Sequence, residues 1–250
     1  MLDTLALGAL AGLIPVYLGI LAALYVGKVL PRTWEGGLIG LANGVLIYLF
    51  FDLMHEATEQ TGARDPISWL VFLGSLAVSF VGLVALESSQ VFGARSGNRM
   101  LPLPYMIAVG MGLHNLGEGL AIGASYAGGQ YALSALLVAG FGLHNGTEGF
   151  GIVGAAGKTA ISWRDVALLG LIAGLPTCVG TLLSGQGVSS YFSICFYALA
   201  AGSLLYVVLS LTVIAYTATR RLQVSAGMFS GIALMYLTAM ILTLVTGVHS

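Results

Sequence analysis

An all-helical membrane protein of eight spans is the fold class this sequence predicts, and three observations predict it. The first is composition. Of 250 residues, 58% are hydrophobic and 8% charged, where a soluble domain carries about 25% charged residues. The second is patterning: apolar runs recur almost end to end, each near the roughly 20 residues that a helix needs to cross a bilayer core of about 30 Å. The third is charge. Lys28 and Arg32 follow the first run, Arg95 and Arg99 the third, Lys158 and Arg164 the fifth, Arg220 and Arg221 the seventh, and only Arg64 lies on the other side. Basic residues gather in cytoplasmic loops, so the alternation supports the count and places both termini outside the cell, in a plasma membrane.

The apolar runs give spans near 5–27, 36–56, 68–88, 103–127, 131–156, 165–185, 191–216 and 227–248, one transmembrane unit over 1–250. Span one follows Met-Leu-Asp-Thr, which has no basic n-region, and its run is too long for a signal-peptide core, so it is expected to be retained. Span two closes on Asp52, His55, Glu56 and Glu59, either a mouth that collects cations or a solvated helix end. Span three ends at Glu87, either an exit ligand on the cytoplasmic side or an interfacial carboxylate that meets water. Spans four and five carry the doubled motif described below. Span six contains Pro176, which removes a backbone donor and is expected to bend or open the helix.

Glycines four apart, at Gly8 and Gly12, Gly36, Gly40 and Gly44, Gly119 and Gly123, Gly170 and Gly174, and Gly227 and Gly231, suit close helix approach in lipid. Cys178 and Cys195 lack CxxC spacing and read as small core residues. The eight methionines form no stripe that would argue for copper. A net charge of −1 without a basic cluster argues against nucleic acid as a partner and leaves the lipid bilayer as the expected one.

The informative feature is a pair of segments offset by 30 residues, Gly112-Leu-His-Asn-Leu-Gly-Glu-Gly119 and Gly142-Leu-His-Asn-Gly-Thr-Glu-Gly149. In each, His and Glu stand at i and i+4 and share a helix face. His114 and Glu118 thus match His144 and Glu148, with Asn115 and Asn145 slightly further round. The short connection at Gly128, Gly129 and Gln130 makes the two helices antiparallel neighbours with both motifs at similar depth, a local inverted repeat of the kind that transporters use at midplane sites. Ionisable groups at that depth cost at least ~2.5–3.5 kcal/mol each on insertion scales, and they persist there with partners. Two imidazoles and two carboxylates match the ligand types for tetrahedral zinc and suit iron(II), manganese, cobalt or cadmium over magnesium or calcium. The same four groups also serve as a proton relay or as a polar lock between helices.

At these residues the sequence resembles the ZIP family of metal transporters, above all the bacterial and archaeal members with HNxxEG on both central helices. The resemblance implies uptake of zinc or a similar divalent metal as cargo, no prosthetic group, no enzymatic activity, exterior termini, frequent homodimers, and spans grouped three, two and three in an inverted-repeat bundle. It implies His114, Glu118, His144 and Glu148 as primary metal ligands, with Asn115 flanking a neighbouring second metal position and Asn145 in the matching place. The chain departs from the pattern at three points. Gly117 and Thr147 stand where many relatives have proline, Thr177 beside Pro176 is the nearest equivalent of a span-six glutamate, and Ser210 and Leu211 replace a late span-seven carboxylate. Two rival readings stay open. One is an intramembrane zinc hydrolase, needing about three protein ligands and a base; the other is a proton-coupled carrier or channel for another solute.

Overall fold

The computed structural model describes residues 2–29, 34–62, 65–89, 102–157, 159–184, 189–218 and 220–246. Among them are eight helices and no strand: α1 (Leu2–Val29), α2 (Glu35–Glu59), α3 (Pro66–Ser88), α4 (Pro102–Ala127), α5 (Tyr131–Ala156), α6 (Trp163–Leu183), α7 (Ser190–Ala218) and α8 (Arg221–Thr246). Six of them, all but α4 and α5, are long and apolar enough to cross a membrane. The chain is thus an all-α, multi-pass membrane protein. Helices α4 and α5 have 26 residues each, about 39 Å at ~1.5 Å per residue. They fall behind in hydropathy because each carries the His, Asn, Glu and glycines of its motif.

Local chemistry sets the helix ends. Asp65 caps α3 by accepting from Ile67 N at 3.1 Å, with Pro66 in the first turn. Ser162 and Asp165 form a reciprocal capping box at the start of α6, satisfying donors that the first turn leaves without partners. Gly129 takes φ 75° in the α4–α5 connection, a left-handed conformation that favours glycine. Helix α8 begins six residues before the expected span, because Arg221, Gln223 and Ser225 are polar yet compatible with helix. A turn of π-helix at Ala9–Leu13 interrupts α1 just before Pro15, whereas α6 continues through Pro176.

Glycine determines which helices touch. Gly40 and Gly44 of α2 lie on the backbone of Val224 and Met228 in α8, and Gly119 and Gly123 of α4 on that of Thr177 and Thr181 in α6. A Cβ at any of these would collide with main chain, so the small-residue spacing is a packing device. Residue numbers rise together along α1 and α5, α4 and α6, α2 and α8, and α3 and α7, which makes these pairs parallel, while α1 crosses α6 in the opposite sense through Gly8, Gly12 and Gly174. The four described basic residues, Lys28, Arg164, Arg220 and Arg221, therefore gather at one end. Arg32, Arg64, Arg95, Arg99 and Lys158 lie outside the described residues.

Met106, Ile107, Met111, Ile152, Leu204 and Leu211 are fully buried in the interior. The outer faces are apolar too, with Leu70, Leu73 and Val78 of α3 and Phe229 and Leu237 of α8 exposed, as a lipid-facing surface requires. Cys178 is buried and Cys195 only partly so; Ser75 Oγ donates to Cys195 Sγ at 3.3 Å.

Candidate metal centre

His114 falls midway along α4 and His144 midway along α5. Ser134 Oγ donates to Ile122 O at 3.3 Å near the connection, and the hairpin brings the two motifs to one level. Ligand atoms of His114, Glu118 and His144 lie within 4.8 Å of one another. These residues are 2%, 5% and 3% exposed, and Glu148 is 0% exposed, so bulk water solvates none of them freely.

Both imidazoles turn to one carboxylate. Glu118 Oε1 contacts His144 Nε2 across the helix pair and lies 3.0 Å from His114 Nε2 on its own helix. The rings stand 6.1 Å apart. The i, i+4 pairing expected from the motif therefore forms at His114 and Glu118, whereas His144 pairs across to Glu118. Glu148 is held by another route: Asn115 Nδ2 donates to its Oε2 at 2.9 Å. Asn145 Nδ2 makes the matching bond to Glu118 Oε2 at 2.8 Å.

Each asparagine makes a second bond to a neighbouring helix. Asn115 Nδ2 reaches Ala173 O of α6 at 3.0 Å, and Asn145 Nδ2 reaches Ala11 O of α1 at 2.9 Å. Ala11 lies in the π turn of α1, four residues before Pro15, and Asn145 gives its carbonyl a side-chain donor. The flanking glycines make this approach possible. Gly112 lies against Pro176 and Gly142 against Pro15, while Gly119 rests on Thr177 and Gly149 on Gly19. Pro15 is thus the counterpart of Pro176, a match that the spacing of the motifs alone does not reveal.

Several polar atoms at this place have no hydrogen-bond partner among the described residues: Glu148 Oε1, Nδ1 of both histidines, and Oδ1 of both asparagines. A buried polar atom without a partner costs about 1–3 kcal/mol. With Glu148 Oε1 among these atoms and no Lys or Arg paired to either carboxylate among the described residues, the site is able to take a cation. A divalent ion balances two carboxylates, and imidazole nitrogen with carboxylate oxygen is the donor set of transition metals. A buried His/Glu cluster able to hold a metal, inside an apolar helical bundle, is what the chain presents.

The remaining sequence-derived residues sit at the two ends. Asp52 and His55 line a hollow of about 330 Å³ with Tyr48 and Phe51, and the Asp52 carboxylate is within electrostatic range of His114 and His144. His55 Nε2 pairs with Glu59 Oε1 at 3.3 Å on the exposed face. Glu56 is half-buried and does not line the hollow. Glu87 borders a second hollow, of about 320 Å³, with Tyr206 and Ser210 of α7. Asn43 is a buried amide outside the sequence-derived set. It is 0% exposed on α2, and its signal was an amide isolated in an apolar span.

No protein-family model matches the chain, and no curated protein matches it.

Proposed function

We propose that this protein is a ZIP-like carrier that moves divalent transition-metal ions, zinc foremost, across the plasma membrane into the cytoplasm. The observation that carries the reading is the buried group of His114, Glu118 and His144, with Glu148 beside it, halfway along two antiparallel helices. An ion held there is equally far from both faces, as alternating access requires.

The packing supports it. Exchanging α1 with α6, α2 with α7, α3 with α8 and α4 with α5 converts the α1–α5 pair into α6–α4 and the α2–α8 pair into α7–α3, all of which are in contact. That pattern fits a three, two and three inverted repeat whose halves rock about the central hairpin. The ion arrives past Asp52 and His55 from outside, loses water as it meets the imidazoles, and leaves toward the end that carries Lys28, Arg164 and Glu87. Helices α3 and α8, the least buried of the spans, offer their faces to lipid or to a second copy in a homodimer. Both termini lie outside the cell, and the chain has no enzymatic role.

A metallohydrolase is the second reading, because the trio of ligand atoms leaves Glu148 Oε1 unpartnered, the arrangement of three ligands plus a base. Metal content after mild purification tests the shared premise. We expect near-stoichiometric zinc in the intact protein and loss of it in a folded His144→Ala variant. Equal zinc in both would remove this centre from consideration, and turnover of a peptide or ester substrate without ion flux would favour the hydrolase.

A further inference from the structure

Between the His/Glu cluster and the basic end of the bundle, a buried amide pairs with a half-buried hydroxyl. Asn43 Nδ2 of α2 donates to Thr212 Oγ1 of α7 at 2.8 Å, and Thr212 Oγ1 spends its own proton on Val208 O at 2.7 Å. The hydroxyl can only accept from Asn43, so the amide is fixed with nitrogen toward Thr212 and Oδ1 turned away. Asn43 is 0% exposed, and no donor among the described residues reaches its Oδ1.

Its depth is set by its neighbours. Ile39, one turn earlier on the same face, packs against Gly154 of α5. Because α2 and α5 run in opposite directions, four residues at ~1.5 Å each bring Asn43 about level with Phe150, within one turn of Glu148. Leu211, adjacent to Thr212, reaches Gly151 of α5 beside Met111, so Ile39 and Leu211, the neighbours of the pair, bear on α5 within two turns of Glu148. An unpaired carboxylate oxygen on α5 and an unpaired amide oxygen on α2 thus lie at nearly the same depth.

We propose that the Asn43 amide oxygen is an inner coordination point for the divalent cation, which it meets after leaving Glu148 on its way to the cytoplasm. This rests on the carrier reading above. A neutral oxygen replaces one lost water yet holds the ion less firmly than a carboxylate, so the ion passes on. Interhelical polar adhesion is the competing account of the same pair, and it assigns the work to the Asn43–Thr212 bond, not to the free oxygen.

The test compares Asn43→Val, Asn43→Cys and Thr212→Val with the intact protein in proteoliposomes, measuring manganese, zinc and cadmium uptake and equilibrium zinc binding. Zinc binding should stay close to that of the intact protein in all folded variants. Asn43→Val should slow uptake of every ion by about tenfold or more, the usual scale for a lost supporting ligand. Asn43→Cys should raise the cadmium-to-manganese ratio severalfold, because thiolate favours soft ions, while Thr212→Val should keep the intact ratio. An unchanged ratio in Asn43→Cys overturns the inference, as does a Thr212→Val variant that reproduces the losses of Asn43→Val. If the intact protein moves none of the three ions, the carrier reading itself falls, and that outcome is separate from either failure.

Discussion

Replacing Asn115 with leucine should weaken zinc binding without touching any imidazole or carboxylate. The substitution keeps the branching and heavy-atom count of the amide and removes two bonds from one nitrogen, to Glu148 Oε2 at 2.9 Å and to Ala173 O at 3.0 Å. A bond to a charged group contributes about 1.5–3 kcal/mol and a neutral one about 0.5–1.5 kcal/mol. The first is the one that aims Glu148 at the ion, because its Oε1 has no other partner among the described residues. At ~1.4 kcal/mol per factor of ten, its loss raises the zinc Kd by roughly 10- to 100-fold, the range found for groups that orient metal ligands. The second bond affects stability more than affinity. The assay is a competition titration of detergent-purified protein against a chelating dye, paired with thermal unfolding with and without zinc, since an ion that binds only the folded state raises Tm. Asn145→Leu should behave alike, acting through Glu118 Oε2 and Ala11 O. Zinc affinity equal to that of the intact protein in a folded Asn115→Leu variant would refute the reasoning.

Gly119→Ala places a Cβ against the main chain of Thr177 and should cost about 1–3 kcal/mol by overpacking, whereas Gly74→Ala, which meets open space, should leave the melting temperature close to that of the intact protein; thermal unfolding in one detergent checks both. Zinc affinity should fall between pH 7.5 and pH 5.5, because the ion needs deprotonated ligands and protons compete for them; a titration curve that is flat across that window contradicts metal ligation by histidine. Asp52→Asn should lower uptake at limiting zinc while sparing the maximal rate, and Glu87→Gln should do the reverse, which initial-rate measurements over a range of zinc concentrations will separate.

Much of the fold was legible because hydropathy in lipid is a nearly direct signal. A chain that must satisfy its backbone inside a bilayer has few options besides helix, so the eight expected spans correspond to eight helices among the described residues, six of them long and apolar enough to cross a membrane. The ends were less legible: Arg221 and Gln223 belong to α8 although hydropathy excludes them. The motif placed His114, Glu118, His144 and Glu148 on two matched helices, and the structure brings three of them together with the fourth held by Asn115. Which histidine meets which glutamate was not legible, because the pairing of His144 with Glu118 depends on the interhelical register that Gly112, Gly119, Gly142 and Gly149 set against α6 and α1. Pro15 and Asn43 were missed for a related reason. Each becomes informative only beside a partner more than 100 residues away, Asn145 for the carbonyl near Pro15 and Thr212 for Asn43.

Zinc entering proteoliposomes loaded with a zinc-sensitive dye tests the central claim most directly, with the intact protein set against a folded His144→Ala, Glu148→Ala double variant in matched orientation. Saturable uptake by the intact protein that disappears in the double variant is the expected result. An intact, correctly oriented protein that binds zinc at this centre yet moves none across the bilayer would contradict it.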